Sequence, residues 1–130
     1  VGHAPRPAAR EARETEAAVT AEEEPRVVKT KRFAMKPAEV DEALRSLDGW
    51  DARDGKKLIH KHYRFEDFLE AMRFVNALAA LAEAEGHHPD FSVHWNAVDV
   101  TLWTHAIGGL SENDFIVAAK LDTLPESRAR

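Results

Sequence analysis

The sequence contains no cysteine, a single tyrosine and only six glycines in 130 residues. Without cysteine there is no disulfide framework, no thiolate nucleophile and no cysteine-bound zinc or iron–sulfur centre. No apolar run approaches the roughly 18 residues of a membrane-spanning helix. Large apolar residues are missing altogether from residues 1–32, which hold no Leu, Ile, Phe, Met, Trp or Tyr but three of the six prolines. Such a stretch cannot bury enough surface to offset the entropy lost on ordering, and it reads as a disordered N-terminal tail. It also lacks the apolar core of a secretory signal, and its six glutamates are foreign to an organellar transit peptide, so a cytoplasmic location is expected. A strong charge of one sign is missing too. The tail carries seven Lys/Arg against six Glu, residues 33–130 carry eleven against seventeen Asp/Glu, and the chain nets −5. That balance gives no electrostatic footprint for nucleic acid.

What is present lies in residues 33–130, which hold all ten aromatic side chains and suffice for one modest core. Pro37 suits the first turn of a helix over Ala38–Leu47, where Val40, Ala43, Leu44 and Leu47 recur at helical spacing. Asp48-Gly49 ends it. Trp50–Arg53 and Lys56–Phe65 read as two strands of a hairpin closed by a two-residue Asp54-Gly55 turn. A long helix follows from Asp67 to Glu85, with an apolar stripe of Phe68, Met72, Val75, Ala79 and Ala82 broadened by Leu78 and Leu81. Gly86 stands where a left-handed, helix-ending residue belongs. Strands Phe91–Trp95 and Val98–His105 come next, the second alternating Val98, Val100 and Leu102 with Asp99, Thr101 and Trp103. Ser111 caps a final helix that carries Asp114 in its first turn, turns Phe115, Ala118 and Leu121 inward and stops before Pro125. This order predicts an α+β domain, a four-stranded antiparallel sheet with helices packed on one face.

The chemistry is concentrated in histidines. His60, His62 and His94 are single residues of predicted strands and read as a polar sheet face. His87-His88-Pro89, just past the long helix, and His105, at the end of the last strand, can reach one rim of the sheet. Three imidazoles there admit three readings from the residues alone: a three-histidine zinc site with Asp90 or Asp114 in support, a pair of proton-transfer groups titrating near neutral pH, or a polar edge without a role. Adjacent His-His is awkward for chelation because neighbouring side chains point apart. The negative end of the long helix favours a charged His87, and Glu83, one turn earlier, is placed to orient either ring.

Order and spacing narrow these readings. Glu83, His87-His88-Pro89, Trp95, His105 and Asp114 stand at the spacing of the pterin-4a-carbinolamine dehydratases, seven positions over 32 residues. Gly49-Trp50, Arg64-Phe65, Asp67-Phe68, Thr104-His105 and Gly109-Leu110-Ser111 also resemble that family, and the likeness spans residues 33–124. The resemblance implies dehydration of 4a-hydroxytetrahydropterin to quinonoid dihydropterin, in tetrahydrobiopterin recycling for aromatic amino-acid hydroxylases. It implies no metal and no cofactor, and assembly as homodimers or homotetramers. It makes His87, His88 and His105 the catalytic candidates and Glu83, Gly86, Pro89, Trp103, Thr104 and Asp114 the substrate-binding ones. His87 or His88 is then expected to donate a proton to the leaving hydroxyl, and His105 to accept the one from ring nitrogen N5. Gly86, Trp103 and Asn113 depart from residues that relatives often carry. The same resemblance offers an alternative from another class, a non-catalytic binding module such as a Rubisco assembly chaperone or a transcriptional dimerisation cofactor.

Overall fold

A computed structural model describes residues 33–128, so the tail reading falls outside the described residues. The chain runs α1 (Pro37–Leu44), β1 (Asp51–Arg53), β2 (Leu58–Arg64), α2 (Phe68–Glu85), β3 (Asp90–His94), β4 (Ala97–Leu102), a 3₁₀ turn (His105–Ile107), α3 (Glu112–Thr123) and a closing 3₁₀ turn (Pro125–Arg128). The four strands form one antiparallel sheet in the order β1-β2-β4-β3, so β2 and β4 are central and β1 and β3 are the edges. This is the expected α+β order.

Alternation explains the layers. Ile59 and Tyr63 of β2 and Val98, Val100 and Leu102 of β4 are buried under the helices, while His60, His62, Asp99 and Thr101 lie on the opposite face. From α2, Ala71, Phe74, Val75, Leu78 and Ala82 enter the core, and from α3, Val117, Ala118 and Leu121. The α2 stripe is therefore rotated from the expected one: Phe68 is 53% exposed, and Ala79 is exposed as well. Apolar residues occur on most sides of this helix, and the aromatic cluster decides among them. The Phe74 ring lies 4.5 Å from that of Tyr63 and 5.3 Å from that of Phe65, so the face bearing Phe74 turns inward.

Three boundaries also differ. α1 ends at Leu44 rather than Leu47, because Arg45, Ser46 and Leu47 close i→i+3 hydrogen bonds that tighten its last turn. The β1–β2 turn has four residues, since Arg53 pairs with Leu58 and the left-handed run continues through Asp54, Gly55 and Lys56. Trp95 leaves the strand and takes a left-handed φ of 55° in the two-residue turn to β4, made possible by pairing of His94 with Ala97. Among the described residues no helix is long and apolar enough to cross a membrane.

Candidate active site

The carboxyl end of α2 sets the site. Gly86 adopts a left-handed φ of 67° as C-cap, and the N–H of His87 donates back to the carbonyl of Ala82. The two adjacent histidines then part. His87 has a side chain 12% exposed and lays Nε2 2.7 Å from Oδ1 of Asp114 on α3. His88 stays in solvent, where Nε2 lies 3.1 Å from Oε1 of Glu83. Glu83 thus orients His88, not His87.

Asp114 is fully buried and is tolerated because both oxygens are engaged. Its Oδ2 accepts the Thr104 hydroxyl at 2.7 Å and the Ser111 backbone N–H at 3.0 Å, the second bond being half of a capping box that starts α3. The Ser111 and Thr104 hydroxyls are 2.8 Å apart. With Asp114 accepting, the His87 proton sits on Nε2, and Nδ1 is the nitrogen left for exchange.

His105 does not end β4. The strand stops at Leu102, Thr104 bridges to Gly109, and His105 opens the 3₁₀ turn. Its ring packs on the Trp103 indole with centroids 3.9 Å apart, and Trp103 Nε1 donates to Asp90 Oδ2 at 3.2 Å. Trp103 and Asp90 also line a cavity of about 260 Å³ with Lys57, Leu58 and Thr101. A larger apolar cavity of about 700 Å³ opens beside α1 and touches the constellation only through Ser111. None of His87, His88 and His105 lines either cavity; the smaller one meets the constellation through Trp103, against which the His105 ring packs.

The resemblance-derived set is thus divided into two linked groups. His87, Thr104 and Asp114 form a buried network, in which Thr104 and Asp114 face His87 and away from solvent. His88 with Glu83, and His105 with Trp103, present themselves outside. Gly86 acts through its backbone turn, and half-buried Pro89 leads into β3. The zinc reading finds no support in this arrangement: among the described residues, no three His, Asp or Glu side chains stand where they would hold an ion together. Ser111, expected to cap α3 but not among the candidate site residues, completes the Asp114 network; the Ser-x-x-Asp spacing carries that signal.

A second histidine cluster lies on the open face of the sheet. Asp99 Oδ1 is 2.9 Å from both His60 Nε2 and His62 Nδ1. Burial works to raise the Asp99 carboxyl, but bonds from His62 and then His60 outweigh it and hold it below the usual carboxylate range. These are the sheet-face histidines of the expected kind, pinned by one carboxylate.

An antiparallel sheet backed by helices, with a carboxylate-held histidine at a helix junction, defines a small α+β domain. The chain belongs to the pterin 4 alpha carbinolamine dehydratase family, whose family model matches residues 34–124. A Nitrosospira multiformis protein, provisionally named pterin-4-alpha-carbinolamine dehydratase, is 50% identical over 86 residues, covering 66% of this chain and 74% of its own. The mitochondrial pterin-4-alpha-carbinolamine dehydratase 2 of Arabidopsis thaliana is 46% identical over 94 residues, covering 70% of this chain and 50% of that one. Among solved structures, a transcriptional coactivator/pterin dehydratase from Brucella melitensis superposes with a TM-score of 0.66 at 40% identity, over 68% of this chain and 95% of that one. A pterin dehydratase-like RuBisCO assembly factor of the alpha-carboxysome gives 0.54 at 25% identity, over 65% and 95%.

Proposed function

We propose that this protein dehydrates a 4a-hydroxytetrahydropterin to the quinonoid dihydropterin by proton transfer at its histidines. The observation that carries this reading is the buried Asp114–His87 pair: Asp114 caps α3 through Oδ2, and its other oxygen fixes which imidazole nitrogen can work. The reaction breaks the C4a–O bond and forms the C4a=N5 double bond. One proton goes to the departing hydroxyl, one leaves N5, and water is released. In either protonation state His87 exchanges through Nδ1, while Asp114 stabilises the imidazolium whenever it forms. His87 or His88 donates the proton to the leaving hydroxyl, and His105 takes the one from N5. Glu83 holds Nε2 of the His88 ring at 3.1 Å.

The test is the rate of dehydration of chemically generated 4a-hydroxytetrahydropterin, before and after exhaustive chelation. The rate should exceed the uncatalysed one and survive chelation. Loss with chelator and recovery on stoichiometric Zn²⁺ would overturn the proton-transfer reading. No acceleration at all would favour a non-catalytic binding module; one structural neighbour is a pterin dehydratase-like RuBisCO assembly factor.

The same reading includes self-association. β3 is an edge strand, and Phe91 within it and Trp95 just after it are 43% and 70% exposed. An open edge flanked by large apolar rings is a site for strand pairing. We expect a symmetric homodimer, or a homotetramer built from two dimers, by light scattering at micromolar concentration. A monomer there would defeat it.

A further inference from the structure

We infer that Asp90 is a positioning residue for His105, acting through the Trp103 indole. Its effect on turnover rests on the dehydratase reading above; the contact itself does not. The alternation of β4 persists beyond its last paired residue. Thr104 turns inward to Asp114 and Ser111, so Trp103 and His105 on either side of it turn outward together. An exposed histidine at the start of a three-residue 3₁₀ turn has little to hold its side-chain rotamer. The indole supplies the missing wall, 3.9 Å from the imidazole and tilted by 32°.

The indole needs its own restraint, because the cavity of about 260 Å³ that it lines leaves it room to swing. That restraint is the bond from Nε1 to Asp90 Oδ2, 3.2 Å. Asp90 opens β3 and is fixed by its register with Thr101. It also follows His88-Pro89 directly, so the junction that delivers His88 to the rim braces His105 there too. Positioning of both rings is thus traced to one short segment.

A proton-transfer group misplaced by about 1 Å loses up to about 100-fold in rate. On that scale Trp103→Ala should lower kcat about 10- to 100-fold and Asp90→Ala about tenfold, with KM changed less than about threefold. Asp90→Asn retains an acceptor oxygen for the indole N–H and should retain kcat. Adding Asp90→Ala to Trp103→Ala should cost nothing more, because the carboxylate acts through the ring that is already gone. The NMR resonances of the His105 ring protons give a readout apart from turnover. Shifted by the indole ring current, they should move fully in Trp103→Ala, part way in Asp90→Ala and hardly in Asp90→Asn. Unchanged His105 resonances in Asp90→Ala would overturn the inference whatever the reaction. So would a KM rise shared by Asp90→Ala and Asp90→Asn and additive with Trp103→Ala, the mark of direct substrate contact. A wild-type protein with no dehydratase activity but with the predicted resonance shifts would overturn the reaction reading and leave the bracing established.

Discussion

Asp114→Asn should lower kcat for dehydration by about 10²–10⁴, the range for loss of one positioned acid–base group, while the fold survives. The substitution keeps shape and volume but not donor pattern. The position of Oδ2 receives the Thr104 hydroxyl and the Ser111 N–H, so the amide oxygen must take it. The amide NH₂ then faces His87 Nε2, which stands 2.7 Å from the present carboxylate oxygen. Two donors cannot face each other there. The neutral ring moves its proton to Nδ1, and the nitrogen meant for exchange is blocked by the wrong tautomer. The imidazolium also loses its anion. His87→Ala should show a similar drop, and the double variant should be scarcely worse than either, because the two side chains act as one unit. Circular dichroism should show the folded domain, since the α3 cap keeps its acceptor. An Asp114→Asn protein within about threefold of wild-type kcat would remove the pair from the reaction, well short of the range expected.

The local features of this site are legible in the sequence, and the long-range ones are not. Gly86 and Ser111 announce their helix ends because left-handed backbone and N-caps select few residue types. The alternation of Val98, Val100 and Leu102 gives β4 its inward face directly. The α2 stripe is expected one edge away because Phe68, Met72 and Ala79 offer as good a period around Val75, Leu78 and Ala82 as Ala71 and Phe74 do. Only the rings of Tyr63 and Phe65 choose between them. The sequence singles out His87, His88 and His105, but not their division. Whether His87 or His88 turns inward depends on where the first turn of α3 comes to rest, 27 residues further along the chain. The two-residue turn failed for a similar reason: Asp54-Gly55 does take left-handed backbone, but the Arg53–Leu58 register adds two residues to the loop.

Asp122→Ala should destabilise the domain by about 3 kcal/mol or more and lower Tm by roughly 12–24 °C, without touching the histidines. Asp122, near the end of α3, is the acceptor on which three side chains from the other end of the fold converge. Its Oδ1 takes the Tyr63 hydroxyl at 2.7 Å and the Lys61 ammonium at 2.9 Å, and its Oδ2 takes the Trp50 indole N–H at 2.9 Å. Tyr63 and Trp50 are 4% and 7% exposed, so neither polar atom finds water easily once its acceptor is gone. Each buried donor left unmade costs about 1–3 kcal/mol. Lys61 adds less, because its side chain is 19% exposed and keeps a bond to the Asp48 carbonyl. Burial, followed by the Asp122 contact, also pushes the Tyr63 hydroxyl well above its ordinary range, so it remains a donor at every working pH. Asp122→Asn, which keeps one oxygen for Tyr63 but sets an NH₂ against a donor, should fall between wild type and Asp122→Ala. Both variants should retain near-wild-type kcat when assayed well below their Tm. Thermal melts that place Asp122→Ala within about 1 kcal/mol of wild type, the scale of one ordinary hydrogen bond, would show that these three contacts do not hold α3 to the hairpin. A loss of kcat in the folded protein would instead show that the far end of α3 transmits to Asp114.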